Sequence, residues 1–203
     1  APGAQPVHKR VHTTEATLAF LRGDRPEPFI YQPVLTPPRS FLDRFGLDPA
    51  ICAFPQCRPD LLERRDDGTI RVIDVKASDE MKGSHRVQVA LYALVLEEVA
   101  RARGIPIEVD IGEGGVWLQQ RSAPETFDLG ASLRLVKDFL RYALPSILTK
   151  PFDDVGWHLN FRCEWCDFFE HCRDQAYADL SVSLVPYLTV CGRQYLRHAD
   201  WPD

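Results

Sequence analysis

Arg58-Pro59-Asp60-Leu61-Leu62-Glu63-Arg64-Arg65-Asp66-Asp67-Gly68-Thr69-Ile70-Arg71-Val72-Ile73-Asp74-Val75-Lys76 is the stretch from which the rest of the chain is read. Two runs rich in branched apolar residues flank Asp66-Asp67-Gly68. A three-residue hairpin loop commonly ends on glycine, because its last residue takes a left-handed conformation. Setting Arg65 opposite Thr69 fixes the register, and counting back places Asp60 opposite Asp74, with Cβ atoms expected about 5 Å apart. A two-residue loop would set Asp60 against Val75 and turn it to the other face. Strand side chains two apart share a face, so Lys76 stands beside Asp74. Like charges across a strand pair repel, and a divalent cation that prefers oxygen ligands, Mg²⁺ or Mn²⁺, turns that repulsion into attraction. The plainer reading is a surface hairpin with a Lys–Asp pair, since Asp-x-Lys is a short pattern. The apolar flanks Ile70, Val72, Ile73 and Val75 weigh against it, because an acid in such a strand is costly to bury without a partner.

Working outward, the spacing predicts a helix from His85 to Arg103, stopped by Gly104. Gln88 and Tyr92 are four apart and share one face, while Val87, Leu91, Leu94, Val95 and Val99 supply an apolar surface for packing on a sheet. Gln88 suits orienting a water or a phosphate, and Tyr92 suits stacking or donating. A buried polar pair that serves only the fold is an equal reading. Upstream, Thr14 to Leu21 reads as a short helix capped by Thr13 or Thr14 and stopped by Gly23. Phe29 to Leu35 reads as a strand. The Pro-rich stretch 36–57 reads as an insertion or lid, with a short helix near Ser40 to Phe45. Downstream, Ile107–Ile111 and Gly115–Gln119 read as a second hairpin across Gly112-Glu113-Gly114. Leu129 to Leu148 reads as a helix interrupted by Pro145, and residues 178–199 as helical pieces broken at Pro186 and Gly192. The expected class is α/β, a mixed central sheet flanked by helices.

The chain of 203 residues, 45% hydrophobic and 26% charged, suits one domain with a small appendage, divided here as 1–157 and 158–203. A net charge of −5 gives no general attraction to nucleic acid, so any such contact needs a local basic path. Arg64, Arg65 and Arg101 are the candidates, with Lys9, Arg10 and Arg103. No apolar run reaches the roughly 18 residues of a membrane span, and the start lacks a signal-peptide core. The expectation is a cytoplasmic protein with reduced thiols, and the missing initiator Met suggests a piece of a longer chain. Of six cysteines, Cys163, Cys166 and Cys172 form C-x2-C-x5-C. Zinc could take them with His171 or His158 as fourth ligand, and an iron–sulfur cluster would take four thiolates; spacing alone does not choose. Trp165, Phe168 and Phe169 read as core packing more readily than as base-stacking groups. Cys191 reads as a small hydrophobe in a helix.

Asp60, Asp74-Val75-Lys76 and Gln88-Val89-Ala90-Leu91-Tyr92, in that order, resemble the RecB-type branch of the PD-(D/E)XK nuclease superfamily, over about residues 14–190. The resemblance implies a restriction-endonuclease-like core. It implies Mg²⁺ or Mn²⁺ held by Asp60, Asp74 and the Val75 carbonyl, with Lys76 assisting the attacking water and Gln88 and Tyr92 supporting the site and the DNA. It also implies an early His as a further metal ligand, for which His12 is the candidate. The cysteine triplet is similar to that of AddB-like nucleases, which implies a 4Fe–4S cluster whose fourth thiolate comes from before the core. Cys52 is favoured over Cys57, which stands three residues from Asp60. Asp179-Leu180-Ser181-Val182-Ser183-Leu184-Val185 is similar to the segment after the cysteines in RecB-like nucleases fused to superfamily 1 helicases. The implied function is a metal-dependent deoxyribonuclease, exonuclease before endonuclease, acting on single strands or ends. Its implied setting is a larger DNA repair or phage-defence protein with a fused or associated helicase. The alternatives are a catalytically inactive DNA-binding or assembly module with an iron–sulfur or zinc staple, and a zinc-stabilised scaffold.

Overall fold

The computed structural model describes residues 13–24, 27–151 and 157–198. The chain divides into two compact units, 1–149 and 150–203. The first holds a five-stranded mixed sheet with helices: β1 (Phe29–Tyr31), β2 (Leu61–Arg64), β3 (Ile70–Lys76), β4 (Glu113–Leu118) and β5 (Glu125–Asp128), neighbours in that order. All pairs are antiparallel except β3–β4. A parallel pair needs a crossover, and helix α3 (Gly83–Ala102) makes it.

The β2–β3 hairpin has the expected register. Leu61 pairs with Ile73 and Arg64 with Ile70, Arg65 donates its N–H to the Thr69 carbonyl at 2.9 Å, and Gly68 closes the loop at φ 85°. On β4, Gly114 permits a close approach: a Cβ there would lie 2.8 Å from Val89 Cγ1 of α3 and 3.0 Å from Leu129 and Phe127. That contact lays α3 on the face carrying Gly114, Val116 and Leu118. Because Asp74 pairs with Val116, it is also the face of Val72, Asp74 and Lys76. Val89, Ala90, Ala93, Leu94 and Leu96 of α3 are buried in the core.

Around this centre, α1 (Thr14–Arg22) starts where Thr13 Oγ1 accepts the Ala16 N–H and ends at Gly23, φ 83°. Residues 36–57, expected as an insertion or lid, send Phe41, Phe45 and Leu47 into the core. Helix α2 (Arg39–Phe45) buries Phe41 and Phe45, and Phe41 meets Phe54 edge-on with ring centroids 5.4 Å apart. The strand expected over Phe29–Leu35 is short, and only an isolated bridge joins Leu35 to Cys57 beyond it.

The second hairpin is misplaced in the sequence reading. β4 pairs with β5, and Ile107–Ile111 contributes only an isolated bridge from Val109 to Ile70. The expected turn glycine Gly114 is a packing glycine inside β4. The helix over 129–148 is real but changes pitch. α4 (Gly130–Asp138) passes into a π-helical turn (Phe139–Ala143) and then α5 (Leu144–Leu148). Pro145 lacks the N–H for an α-helical bond, and the preceding donor, Leu144 N–H, reaches back five residues to the Phe139 carbonyl.

The second unit holds a 3₁₀ turn over Phe161–Trp165, α6 (Phe169–Ala178), a 3₁₀ turn over Val182–Leu184 and α7 (Val190–His198). Gly192 lies within α7 and does not break it. Trp165 and Phe168, expected in a core, are 90% and 70% exposed; Phe169 is half-buried. Among the described residues no helix is long and apolar enough to cross a membrane.

Candidate metal centre

The open end of the β2–β3 hairpin carries the acids. Asp74 is 1% exposed, and neither carboxylate oxygen has a hydrogen-bond partner. Lys76 Nζ stands 2.8 Å from Asp74 Oδ2, an ionic contact without hydrogen-bond alignment. Asp60 lies one position beyond β2, and the register sets it across from Asp74. Its Oδ2 accepts the Val75 N–H at 2.8 Å and its carbonyl accepts the Gln32 N–H at 2.8 Å. The Asp60 carboxylate is therefore pinned to the segment between Asp74 and Lys76. Burial pushes the Asp74 carboxyl up to about 6; Lys76 pulls it down and the neighbouring Asp60 pushes it further up. A buried carboxylate with both oxygens unbonded, beside a second carboxylate, is a donor set that fits a hard divalent cation.

Helix α3 adds Gln88 and Tyr92 on one face, with Gln88 Nε2 donating to Tyr92 Oη at 3.0 Å. It also adds His85, which the sequence reading passed over. His85, Gln88 and Tyr92 recur at three and then four residues, a spacing that marks one helix face. The Lys82 N–H donates to His85 Nδ1 at 3.2 Å. Burial first, then the positive charges of Lys76 and Lys82, hold the His85 imidazole below its usual value. A neutral ring that accepts at Nδ1 carries its proton on Nε2.

The three arginines nominated for a nucleic-acid path are not gathered here. Arg64 and Arg65 sit at the turn end of the hairpin. Arg64 donates to the Phe20 carbonyl and lies 4.9 Å from that ring's centroid, and Arg65 contacts Asp110 at 2.5 Å. Arg101, near the C-terminal end of α3, is paired with Glu98. At 1.5 Å per residue it stands roughly 20 Å along the helix from Gln88. His12 lies outside the described residues.

Among the described residues, no three His, Cys, Asp or Glu side chains converge to hold a metal ion. Among the described residues the acidic centre brings together two carboxylates, Asp60 and Asp74. Cys163, Cys166 and Cys172 do not stand as a ready-made cage, although the Asn160 N–H points at Cys163 Sγ, 3.5 Å away. Cys52 and Cys57 are half-buried against the core of the first unit, and burial pushes the Cys57 thiol up.

A mixed sheet with a β3–α3–β4 crossover, and paired acids with a lysine at the end of one hairpin, define an α/β protein with an acidic centre at the end of its sheet. The chain belongs to the PD-(D/E)XK nuclease superfamily, whose sequence pattern matches residues 56–173. Proteins of this superfamily are usually nucleases that use divalent metals such as Mg²⁺, and a nuclease domain implies DNA as substrate. No curated protein matches the chain.

Proposed function

We propose that this chain is a Mg²⁺- or Mn²⁺-dependent deoxyribonuclease domain of the RecB-like kind, acting on single strands or ends, exonucleolytically before endonucleolytically. The observation that carries the reading is Asp74, buried beside Asp60 with Lys76 Nζ 2.8 Å from its Oδ2. Asp60, Asp74 and the Val75 carbonyl would hold the cation, with His12 as a further ligand. When bound, the cation supplies charge stabilisation for an in-line displacement at phosphorus and lowers the pKa of a water.

The side chains have separate tasks. Asp60, fixed by the Val75 N–H, keeps the two acids at a constant spacing. Lys76 presents its ammonium where negative charge accumulates on the phosphate. Gln88 donates to Tyr92 and so keeps its carbonyl oxygen available to accept from a water. His85 holds an Nε2–H donor on the same helix face.

The C-x2-C-x5-C group is proposed to take a 4Fe–4S cluster with Cys52 as fourth thiolate, in a longer repair or defence protein that works with a helicase. Its support is the spacing and the Asn160 N–H aimed at Cys163 Sγ. Iron and acid-labile sulfide in the purified protein would bear this out, and stoichiometric zinc would replace it with the zinc-staple alternative.

The test of the nuclease reading is cleavage of an end-labelled oligonucleotide with Mg²⁺ or Mn²⁺. If Lys76→Ala cuts as fast as the parent, the assigned site is wrong. Firm single-strand binding with no cleavage would favour the inactive assembly module.

A further inference from the structure

The sheet face opposite α3 carries a feature that the acidic centre does not use. Tyr31, Leu61, Val75 and Trp117 share that face, through the pairs Tyr31–Leu61, Leu61–Ile73 and Val75–Trp117 and the two-residue alternation of β3. With Gln120 and Arg121 they line a cavity of about 490 Å³, and Lys76 lines it too. The cavity therefore meets the site at Lys76, at the end of β3, on the sheet face opposite the Asp74 side chain.

Its walls are aromatic and its floor aliphatic. Tyr31 is 47% exposed and Val75 46%, so the floor and one wall face open space. The other wall is fixed, because the Trp117 indole N–H donates to the Arg121 carbonyl at 2.9 Å. Arg121 leaves its guanidinium at the rim in an exposed pair with Glu125. The first unit has two described non-glycine residues at positive φ, Gln32 at 45° and Gln120 at 66°, and they stand on either side of this cavity. Such conformations are held only where surrounding structure imposes them. Here the Gln32 N–H, bonded to the Asp60 carbonyl, couples the position of Tyr31 to that of the metal-binding acid.

We propose that this cavity holds the nucleobase of the nucleotide adjoining the scissile phosphate. The inference rests on the nuclease reading and sharpens it to an unpaired substrate. A flat π-faced group stacks on a phenol or an indole beside aliphatic side chains. The volume falls in the range of small-molecule sites, about 300–1,000 Å³. Lys76 belongs to both the site and the lining, so a strand whose phosphate sits at Lys76 would pass the end of β3 toward the cavity. The rim amides of Gln119 and Gln120 and the Arg121 guanidinium offer donors and acceptors to base edges without imposing one base. A base inside a duplex is already stacked and paired, so it enters only after extrusion. Selection for single strands or frayed ends then arises beside the metal centre.

The experiment uses the full chain with Mn²⁺ and a labelled oligothymidylate containing one abasic position, every other phosphate of the strand serving as internal control. The expected result is that cutting at one phosphate flanking the abasic position falls about tenfold, the scale of one stacked base. Tyr31→Ala should remove that selectivity, Tyr31→Phe should keep it, and Trp117→Leu supplies the same reading from the other wall if Tyr31→Ala does not fold. Equal cutting at all phosphates by the parent, or undiminished selectivity in folded Tyr31→Ala, overturns the proposal. If the parent cuts nothing, the nuclease reading fails separately. Fluorescence anisotropy then decides the cavity: oligothymidylate bound about tenfold tighter than a fully abasic strand of equal charge, with the difference lost in Tyr31→Ala, supports it, and equal binding overturns it.

Discussion

Two acids are buried to the same degree in the first unit and serve opposite ends. Asp74 and Glu98 are each 1% exposed. Glu98, on α3, is met by two arginines: Arg44 from α2, whose Nη1 lies 3.4 Å away and also bonds Glu97 at 2.7 Å, and Arg101 one turn further along its own helix. Asp74 has one lysine in ionic contact and no hydrogen bond at either oxygen. Burying a charge is unfavourable unless it is paired and bonded. Glu98 meets that condition with the chain's own groups and ties α2 to α3. Asp74 meets it only in part, through Lys76, and under the proposed function the cation would complete its pairing. In that reading incomplete pairing, more than burial, sets the proposed metal ligand apart.

The largest effect that can break this contrast is catalytic. Asp74→Ala should lower cleavage by at least about a thousandfold, since the charge stabilisation lost is several kcal/mol, while Glu98→Gln should leave the rate within a few-fold of the parent. Equal losses in the two variants, at matched folded fractions, would remove the distinction.

Stability should move the other way. Glu98→Ala leaves Arg44 with Glu97 alone and takes the partner of Arg101, and should destabilise by about 2 kcal/mol, discounted because both arginines reach water. Asp74→Asn should leave the metal-free protein as stable as the parent or more so, read from urea midpoints at neutral pH.

Acid should separate the two next. The folded protein holds the Asp74 proton up to about pH 6, against 3.8 for an ordinary aspartate. Between those values the native state binds more protons than the unfolded chain, so metal-free stability falls as pH rises through that window. Asp74→Asn should flatten that slope and Glu98→Gln should not.

The smallest effect is the added cation. Mg²⁺ at about ten times its dissociation constant should restore roughly 1.4 kcal/mol at pH 7, seen as a rise in melting temperature absent from Asp74→Asn.

The Asp60–Asp74 pairing was legible because the hairpin encodes it locally: Gly68 admits one loop length, and the loop length sets which residues face. Gln88 and Tyr92 were legible by helical spacing, and by the same rule His85 could have been read. What was lost depends on contacts from afar. Gly114 looked like a turn because the helix that fills its missing side chain, through Val89, is distant in sequence. Glu125-Thr126-Phe127-Asp128 escaped as a strand because only Phe127 is buried there. Trp165 and Phe168 were placed in a core because their composition suggests burial, yet the small 150–203 unit leaves them outside. Arg64, Arg65 and Arg101 were nominated as a nucleic-acid path by charge alone, and these three have local partners.

The one-ended charge of the β2–β3 hairpin also bears on time. Its loop is neat and short at Gly68, so pairing begins there and travels outward, and Asp60 meets Asp74 at the last rung. Repulsion that arises only at the last rung burdens the finished hairpin more than the barrier to it, and it quickens opening more than it slows closing. A divalent ion at that rung would act as a latch, lengthening the life of the folded site while leaving the speed of its formation almost unchanged.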